Sequence, residues 1–185
     1  MQLTLTTLLA TALLSLSGLA TASPLLQTRQ TTEPPARYYL KTKVDNGKHV
    51  DTGTNKTDLW VFSYHTGAGL GAAGLSPNKT DAWEGYLNGT QQLFTYPENE
   101  IGPWPLSFSS LNLYERWLEA DISIASINEA QGFFFNSSGL QYNQSSGGWL
   151  ACDWSLQSPQ LYNVVYGGGP YPSSCSKVHL LPVAV

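Results

Sequence analysis

Carboxylates are the residues of this chain best suited to acid–base catalysis, and they are spread along its length. The candidates are Asp81, Glu84, Glu115, Glu119, Asp121 and Asp153. A glycosidase needs two carboxyl groups about 5–9.5 Å apart across a cleft. Strand alternation would place Glu119 and Asp121 on one face with Ser123, a face that we expect to be solvated. Asp153, between a cysteine and a tryptophan, is expected to be partly buried. It is a candidate ligand-facing residue, and structural hydrogen bonding is the alternative that we favour.

The three histidines give no sign of a metal centre. His49 lies in a turn-rich stretch, whereas His65 and His179 lie on predicted strands. A metal site needs ligands that converge and a second shell that orients them, and scattered histidines predict neither. The aspartates of 51–58 lack the residue order and the closing glutamate of a calcium loop, so we expect a solvated loop there. We therefore predict no metal and no cofactor, and we keep His65 as a candidate ligand-facing residue.

A glycine pattern matches the consensus of a dinucleotide-binding loop, but its context does not. Gly69, Gly71 and Gly74 form G-x-G-x-x-G after a predicted strand. The chain then continues through Ser76-Pro77 into a glycosylation motif, whereas a nucleotide site needs a helix at this point. We expect a loop of small residues with a free choice of backbone angles and no bound nucleotide.

Five Asn-x-Ser/Thr motifs predict a glycosylated, secreted protein. They are Asn55, Asn78, Asn88, Asn136 and Asn143. An N-linked glycan requires passage through the secretory pathway and a solvated acceptor. Residues 3–22 carry no charge and end in Ala-Thr-Ala, the pattern of a signal-peptide cleavage site. We expect a signal peptide over 1–22, a flexible linker or pro-segment over 23–36, one secreted domain over 37–185, and no membrane anchor after cleavage.

The two cysteines, Cys152 and Cys175, are expected to be bonded to each other, because an even count in a secreted chain indicates a disulfide. The bond would close a loop of about 23 residues and contribute roughly 3 kcal/mol in the chain-entropy model. Cys152 should point inward, because it shares one strand face with Leu150 and Trp154.

The chain is poor in charge and rich in aromatic side chains. Charged residues make up only 12% of it, about half the usual share, and the net charge is −4. A negative chain lacks the electrostatic basis for nucleic-acid binding, so we expect no such partner. Trp83, Tyr86, Trp104 and Trp149 are the rings that we single out as candidates for stacking on a sugar. Packing in the core is the alternative for each of them.

The elements that must position these groups are strands. Alternation, or enrichment in β-branched and aromatic residues, marks strands at 38–44, 59–66, 120–127, 148–156, 160–167 and 176–183. Two hairpins are predicted, one at 83–96 with an Asn88-Gly89 type I′ turn and one at 132–143 that turns over Asn136–Gly139. Residues 106–118 have partly helical spacing, which leaves room for one short helix. Turn signals every 8–12 residues, roughly, predict a single all-β domain, an antiparallel sandwich or barrel.

The clearest strand, 59–66, is predicted to be the centre of the fold. Trp60, Phe62 and Tyr64 share one of its faces, and aliphatic residues occupy much of the other. We therefore expect both faces to be covered, with the aromatic face packed in the core.

Four segments of the chain resemble a known family when they are taken together. They read SYHTGAGLG, YLNGT, GFFFNSSGLQYN, and GWLACDW with SSCSKVHL. They resemble a family of small secreted proteins of filamentous fungi that is defined only as a domain of unknown function. The likeness covers most of the chain beyond the expected linker and is most specific at GWLACDW. It implies a fungal extracellular protein with a compact β-rich fold, and it assigns no functional residue.

These observations predict a non-enzymatic extracellular β-domain. It would be a cell-wall or surface component, or a carbohydrate-binding module with polysaccharide or cell-wall material as its partner. The alternatives are a small carbohydrate-active hydrolase that uses paired carboxylates, and a secreted effector that acts on host proteins. A coplanar row of exposed aromatic rings would favour binding, whereas a cleft with paired carboxylates would favour catalysis.

Overall fold

The computed structural model describes residues 30–45, 51–96, 98, 101–109, 116–124, 130–153, 156–168 and 170–185. Its strands are β1 Tyr38–Val44, β2 Trp60–Gly67, β3 Leu70–Ser76, β4 Glu84–Asn88, β5 Gln91–Thr95, β6 Trp104–Phe108, β7 Trp117–Ile122, β8 Phe133–Asn136, β9 Gly139–Tyr142, β10 Gly148–Cys152, β11 Gln160–Val164 and β12 Cys175–Ala184. A single 3-10 turn, Lys79–Asp81, is the one helical piece in these ranges. None of the described segments contains a helix with the length and apolar character that a membrane crossing requires.

The predicted all-β class is confirmed, and the architecture is a barrel instead of a sandwich. Around the closed ring the strands follow the order β1, β4, β5, β6, β7, β3, β11, β10 and β12. β12 pairs with β1 in antiparallel register along the whole of β1. β2 is paired with β3, and the β8–β9 hairpin joins β12 by a parallel bridge between Gly139 and Leu180. The short helix expected within 106–118 falls partly on β6, and 110–115 lie outside the described residues.

The barrel interior holds an apolar cluster in which the buried polar groups of two aromatic side chains, Tyr38 and Trp149, are paired. Tyr38 is fully buried, and its hydroxyl donates to Gln92 Oε1 at 2.6 Å. Trp149 is 1% exposed, and its indole N–H donates to the carbonyl oxygen of Leu140 at 2.7 Å. The hypothesis that the Trp149 ring faces a ligand is therefore wrong, because the barrel encloses this ring as part of its core.

β2 is a strand as predicted, but the expected choice of core face is wrong. Val61 is fully buried, whereas Trp60, Phe62 and Tyr64 on the opposite face are half-buried. The neighbouring strand explains this choice. Gly74 of β3 pairs with Phe62, and a Cβ on Gly74 would lie 2.8 Å from the Phe62 ring. The ring thus occupies space that only a glycine leaves open, and the aliphatic side of β2 turns inward.

The G-x-G-x-x-G segment forms a turn and a strand, not the loop of free backbone angles that we expected. Gly69 has a φ of 70° in the β2–β3 turn, where a left-handed conformation favours glycine. Gly71 lies within β3, and a Cβ there would come within 1.9 Å of Ser63 Oγ. The small residues of this motif therefore allow two strands to pack closely, which accounts for the pattern without a phosphate ligand.

The two predicted hairpins are present, and one of them turns one residue later than expected. Asn88 pairs with Gln91, so the turn residues of β4–β5 are Gly89 and Thr90. Gly89 has a φ of 60°, which fits a turn with glycine at the first central position instead of an Asn-Gly pair. The β8–β9 hairpin turns between Asn136 and its partner Gly139, as predicted.

A corner of the barrel is built where β2 separates from β1. β1 pairs with β2 at Lys41 and Trp60, and it then pairs with β4 at Tyr38 and Tyr39. Trp83 sits just before β4, and its backbone N–H donates to the carbonyl oxygen of Val61 at 3.1 Å. The chain therefore inserts Trp83 at the point where the two strands part, and this corner positions the site described next.

Candidate functional site

A cavity of about 570 Å³, which we call the aromatic cup, lies beside the β2–β3 hairpin. Its rings come from the same end of three neighbouring strands. Trp83 precedes β4, Tyr96 follows β5 and Trp104 begins β6. The Trp83 ring meets the Trp104 ring edge to face, with centroids 5.3 Å apart and planes at 82°, and it lies 4.8 Å from the Tyr96 ring. The rings form a concave wall and not a flat platform.

The rim of the aromatic cup is formed by exposed aliphatic side chains. Leu70 is 47% exposed at the β2–β3 turn, Ile101 is 58% exposed before β6, and Ile124 is 38% exposed after β7. In the described parts of the chain, only two other large apolar side chains are this exposed, Tyr166 and Val185. Exposed apolar groups that cluster around a concavity mark an interaction site more strongly than the same groups scattered singly.

Most polar groups of the aromatic cup are already engaged within the protein. Ser63 Oγ donates to the Ile122 carbonyl oxygen at 2.8 Å, and the Trp104 indole N–H donates to the Ile101 carbonyl oxygen at 2.7 Å. The Tyr96 hydroxyl donates to Glu98 at 2.9 Å, and this hydrogen bond raises the pKa of Tyr96. The wall is therefore apolar in character, with its own dipoles largely satisfied.

Two polar groups of the aromatic cup have no partner among the described residues. They are the indole N–H of Trp83 and the imidazole of His65. Trp83 is only 7% exposed, whereas His65 lies at the exposed end of β2. A donor and an imidazole in an otherwise apolar wall can orient a ligand, because orientation in such sites depends on a small number of polar contacts.

The described residues contain no group of three or more His, Cys, Asp or Glu side chains that could hold a metal ion. Among the described residues that line the aromatic cup there is no carboxylate. The aromatic cup offers apolar surface, aromatic rings and two hydrogen-bonding groups that have no partner in the described part of the chain.

A second feature is the pair of carboxylates on β7, whose face is not the solvated one that we expected. Ser123 is 5% exposed and its hydroxyl donates to the Gly71 carbonyl oxygen at 3.1 Å, while Glu119 and Asp121 are half-buried. Burial, and then the charge of Glu119, raises the pKa of Asp121 to about 7. The side-chain amide of Gln160 donates to Glu119. β7 pairs with β3 and β11 along its edges, which brings the Gln160 side chain beside Glu119.

Asp153 belongs to a third feature, which we call the Lys56 clamp. The side chain of Lys56 is 0% exposed, and its ammonium lies 2.6 Å from Asp153 Oδ2 and 3.2 Å from Asp51 Oδ2. Thr54 donates to both carboxylate oxygens of Asp153, and the Ser176 hydroxyl donates to Asp51 at 2.8 Å. The structural role expected for Asp153 fits these contacts, whereas the solvated loop expected over 51–58 is wrong where Lys56 is buried.

The clamp lies beside the disulfide. Cys152 and Cys175 are bonded at an S–S distance of 2.07 Å, are fully buried and pair directly across β10 and β12. The neighbours of these cysteines are Asp153 and Ser176, both members of the clamp. Burial alone would raise the pKa of Asp153, but hydrogen bonds from Lys56 and Thr54 outweigh it and lower that pKa. The predicted disulfide and the partly buried aspartate thus form one structural unit.

The structure brings together three of the residues singled out from the sequence, His65, Trp83 and Trp104, in the aromatic cup. Tyr86 lies elsewhere, with the guanidinium of Arg37 at 4.1 Å from its ring centroid. His49 and Glu115 lie outside the described residues. Sequence reasoning missed Tyr96 and the three aliphatic rim residues, because single apolar residues at strand ends look alike whether they are exposed or buried.

The predicted glycosylation residues all lie in the described ranges. Asn55, Asn78, Asn88 and Asn143 are exposed, and Asn136 is half-buried at the β8–β9 turn. The Asn136 side chain accepts the backbone N–H of Ser138 at 2.8 Å, which fixes the turn locally. Every position can therefore be reached from solvent, at least in part, and occupancy by a glycan stays a prediction.

Comparison with known proteins gives a family but no activity. The model of a family described as "Domain of unknown function (DUF7907)" matches residues 35–184. No protein with a curated description and no solved structure matches the chain.

Proposed function

The chain belongs to the DUF7907 family, a domain of unknown function, and we propose that it is a binding protein whose aromatic cup takes up a small, mostly apolar molecule. The observation that carries the proposal is the convergence of Leu70, Ile101 and Ile124, all exposed, around a cavity walled by aromatic rings. A volume of about 570 Å³ lies within the range of small-molecule sites.

Burial of apolar surface supplies the affinity in this proposal. Each square ångström of apolar surface removed from water contributes about 25 cal/mol. The rim side chains expose such surface to solvent in the free protein. A ligand that fills the aromatic cup would remove apolar surface of the protein and of the ligand from contact with water. Burial of apolar surface does not favour one ligand orientation over another, whereas contacts with the aromatic rings of the wall do.

An apolar ligand fits the aromatic cup better than the sugar expected from the sequence. Sugar stacking uses a flat ring face with hydroxyl partners around it. The Trp83 and Trp104 planes stand at 82° to each other, and the Ser63 and Trp104 donors are already used within the protein. A carbohydrate or cell-wall ligand therefore finds few of the polar contacts that would replace its hydration.

The proposal is tested with a neutral fluorescent probe, N-phenyl-1-naphthylamine, whose emission rises in apolar surroundings. The wild-type protein is expected to bind the probe saturably, and Leu70→Asp is expected to weaken binding by about tenfold or more, because a charge on the rim must be desolvated. Tyr166→Asp is the matched control, since Tyr166 is 65% exposed away from the aromatic cup. Equal binding by both variants would contradict the proposal.

We also propose that the chain is secreted and glycosylated. The disulfide between Cys152 and Cys175 supports an oxidising location, and the accessibility of Asn88 and Asn136 at hairpin turns supports glycan attachment. Protein secreted from a fungal host would be treated with endoglycosidase and its peptides mapped by mass. Modified asparagine at both positions is expected, and unmodified asparagine at both would refute the glycosylation claim.

A second candidate function, a small carbohydrate-active hydrolase, is supported by one observation. Glu119 and Asp121 are neighbours on one face of β7, and Asp121 has its pKa raised to about 7, as a general acid requires. Release of reducing ends from a panel of polysaccharides would be measured for the wild type and for Asp121→Asn. Hydrolysis that the variant loses would support this function, and no release by the wild type would dismiss it.

A further inference from the structure

From the pairing of polar groups in the aromatic cup, we infer that its ligand is a neutral, mostly apolar molecule with one acceptor oxygen, a carbonyl or hydroxyl, that accepts a hydrogen bond from the Trp83 indole N–H. The inference rests on the proposed binding function and narrows it to a chemical class. It also assigns to Trp83 the role of the residue that recognises the polar end of the ligand.

The first step is that the Trp83 donor is unused. Trp149 and Trp104 each donate their indole N–H to a backbone carbonyl oxygen, at 2.7 Å in both cases. Trp83, which is 7% exposed, has no such acceptor among the described residues. An indole N–H can only donate, so its need is for an acceptor atom. A tryptophan this deeply buried normally finds a hydrogen-bond partner, and Trp83 lacks one among the residues that the structure describes.

The second step is that this donor keeps contact with solvent and belongs to a ring that lines the aromatic cup. Among the described residues, the one fully buried side-chain N or O atom without a partner is Asn163 Oδ1. The unpaired Trp83 nitrogen is therefore not sealed in the core and keeps contact with solvent. The aromatic cup is the open space that this ring lines. A ligand in that space lies against the Trp83 ring and displaces water from it. An acceptor oxygen on the ligand would then replace the hydrogen bond that the N–H makes with water.

The third step concerns charge. The described residues that line the aromatic cup include no lysine or arginine, and the Tyr96 hydroxyl on its wall is already bonded to the carboxylate of Glu98. A carboxylate ligand would lose its hydration without gaining a cation, in a chain of net charge −4. A neutral oxygen avoids that cost and still accepts from Trp83. His65 at the exposed end can tolerate either a donor or an acceptor, so it adds no constraint on the class.

Three ligands of matched shape test the inference: 2-acetylnaphthalene, which is a neutral ketone, 2-ethylnaphthalene, which has no acceptor, and 2-naphthoate, which is anionic. Their affinities would be measured by titration calorimetry for the wild type, for Trp83→Phe and for Trp104→Phe. Trp83→Phe is expected to lower the ketone-to-ethyl affinity ratio by about 3- to 10-fold, the worth of one hydrogen bond. Trp104→Phe should leave that ratio unchanged, because the Trp104 N–H already serves Ile101.

A second readout does not depend on the stability of a variant. In ¹H–¹⁵N spectra of the wild type, the Trp83 indole proton should show the downfield shift of a new hydrogen bond on addition of the ketone. The ethyl compound should cause only the shift that any bound aromatic ring produces, without this downfield change. If both compounds bind equally and this signal does not distinguish them, the inference is wrong while the binding function stands. Tighter binding of 2-naphthoate than of the ketone would overturn the neutral class. Binding of none of the three would contradict the proposed function itself.

Discussion

The Lys56 clamp and the aromatic cup treat polar and apolar groups in opposite ways. In the clamp, a fully buried ammonium is met by two carboxylates, and hydroxyl and backbone donors satisfy the remaining oxygens. In the aromatic cup, a nearly buried indole N–H has no partner in the described chain, and aliphatic side chains face solvent. The charged groups of the Lys56 clamp are paired within the protein, whereas the aromatic cup has a hydrogen-bond donor without a described partner and apolar side chains without cover.

This difference separates stability from function. A buried charge that lost its partners would be costly, so the clamp fixes the 51–59 segment against β10 and β12. The aromatic cup carries an unpaired donor and exposed apolar surface at a cost in stability, and a cost of that kind is typical of a site that a ligand completes. Changes in the clamp should therefore affect folding, and changes in the aromatic cup should affect binding.

The largest effect on stability is expected from Lys56→Met. The substitution keeps an apolar stem of similar length but leaves Asp51 and Asp153 without the ammonium. Breaking a buried ion pair in this way costs about 3–5 kcal/mol in the free energy of unfolding. Denaturant unfolding measures it. The control is Lys41→Met, which removes an exposed pair with Asp58 and should cost less than about 1 kcal/mol. Equal losses in the two variants would contradict a buried clamp.

Removal of the disulfide is expected to have the next largest effect. Cys152→Ala with Cys175→Ala releases a loop whose ends are 23 residues apart, which should lower the free energy of unfolding by about 3 kcal/mol. The same denaturant measurement is used. Binding of the fluorescent probe should persist in the folded fraction, because the aromatic cup does not include either cysteine. Loss of probe binding from folded protein would show that the two regions are not separate.

Asp121→Asn tests how a carboxyl group without a cation partner among the described residues affects the pH dependence of stability, in comparison with the paired carboxyl groups of the clamp. The pKa of Asp121 is raised to about 7 in the folded protein from 3.8, so the folded state binds this proton more strongly. Its contribution to stability is present below about pH 4 and is lost as the pH rises toward 7. The asparagine side chain carries no charge, so the variant should not lose stability in this way as the pH rises. At pH 8 it should be more stable than the wild type by about 1–2 kcal/mol, after allowance for solvent screening of a half-exposed group.

The measurement is thermal or denaturant unfolding of both proteins across pH 3.5 to 8. Asp153 should contribute with the opposite sign, because hydrogen bonds and the charge of Lys56 lower its pKa and its stabilisation is lost as the pH falls. A wild type that gains stability from pH 5 to 8 as much as the variant does would contradict the raised pKa of Asp121.

The smallest effect on stability is expected from Leu70→Asp. Leu70 is 47% exposed at a turn, so the free energy of unfolding should change by less than about 0.5 kcal/mol. The same change should nevertheless weaken probe binding strongly, as argued above. A large loss of stability would mean that the rim belongs to the core, and the contrast between the two regions would fail there.

The sequence predicts strands and the disulfide well because these depend on local pattern. Alternating residues locate β1 and β12, and the even cysteine count identifies the bond between Cys152 and Cys175. The face of β2 could not be predicted in the same way, since both of its faces are apolar. The choice was made by Gly74 on another strand, which gives the Phe62 ring room to lie outside.

The sequence identifies some residues of the candidate site, but it does not predict that they come together in one cavity. His65 and Trp104 stand out by type, but only long-range strand pairing brings them to one cavity. Lys56 looks exposed from the sequence but is buried in the structure. It lies within a hydrophilic stretch and a glycosylation motif. Its buried ammonium is paired with Asp153, which is 97 residues away in the chain. Contacts across such separations leave no periodic signal in the chain.

The claim that the aromatic cup is a binding site is tested most directly by observing which tryptophans respond to a ligand. Protein labelled with ¹⁵N would be titrated with N-phenyl-1-naphthylamine, and its indole N–H signals would be assigned by single Trp→Phe substitutions. The account predicts that the signals of Trp83 and Trp104 move together and saturably, while those of Trp60, outside the aromatic cup, and Trp149, in the core, stay in place. A response from Trp60 alone, or none from any indole, would contradict it.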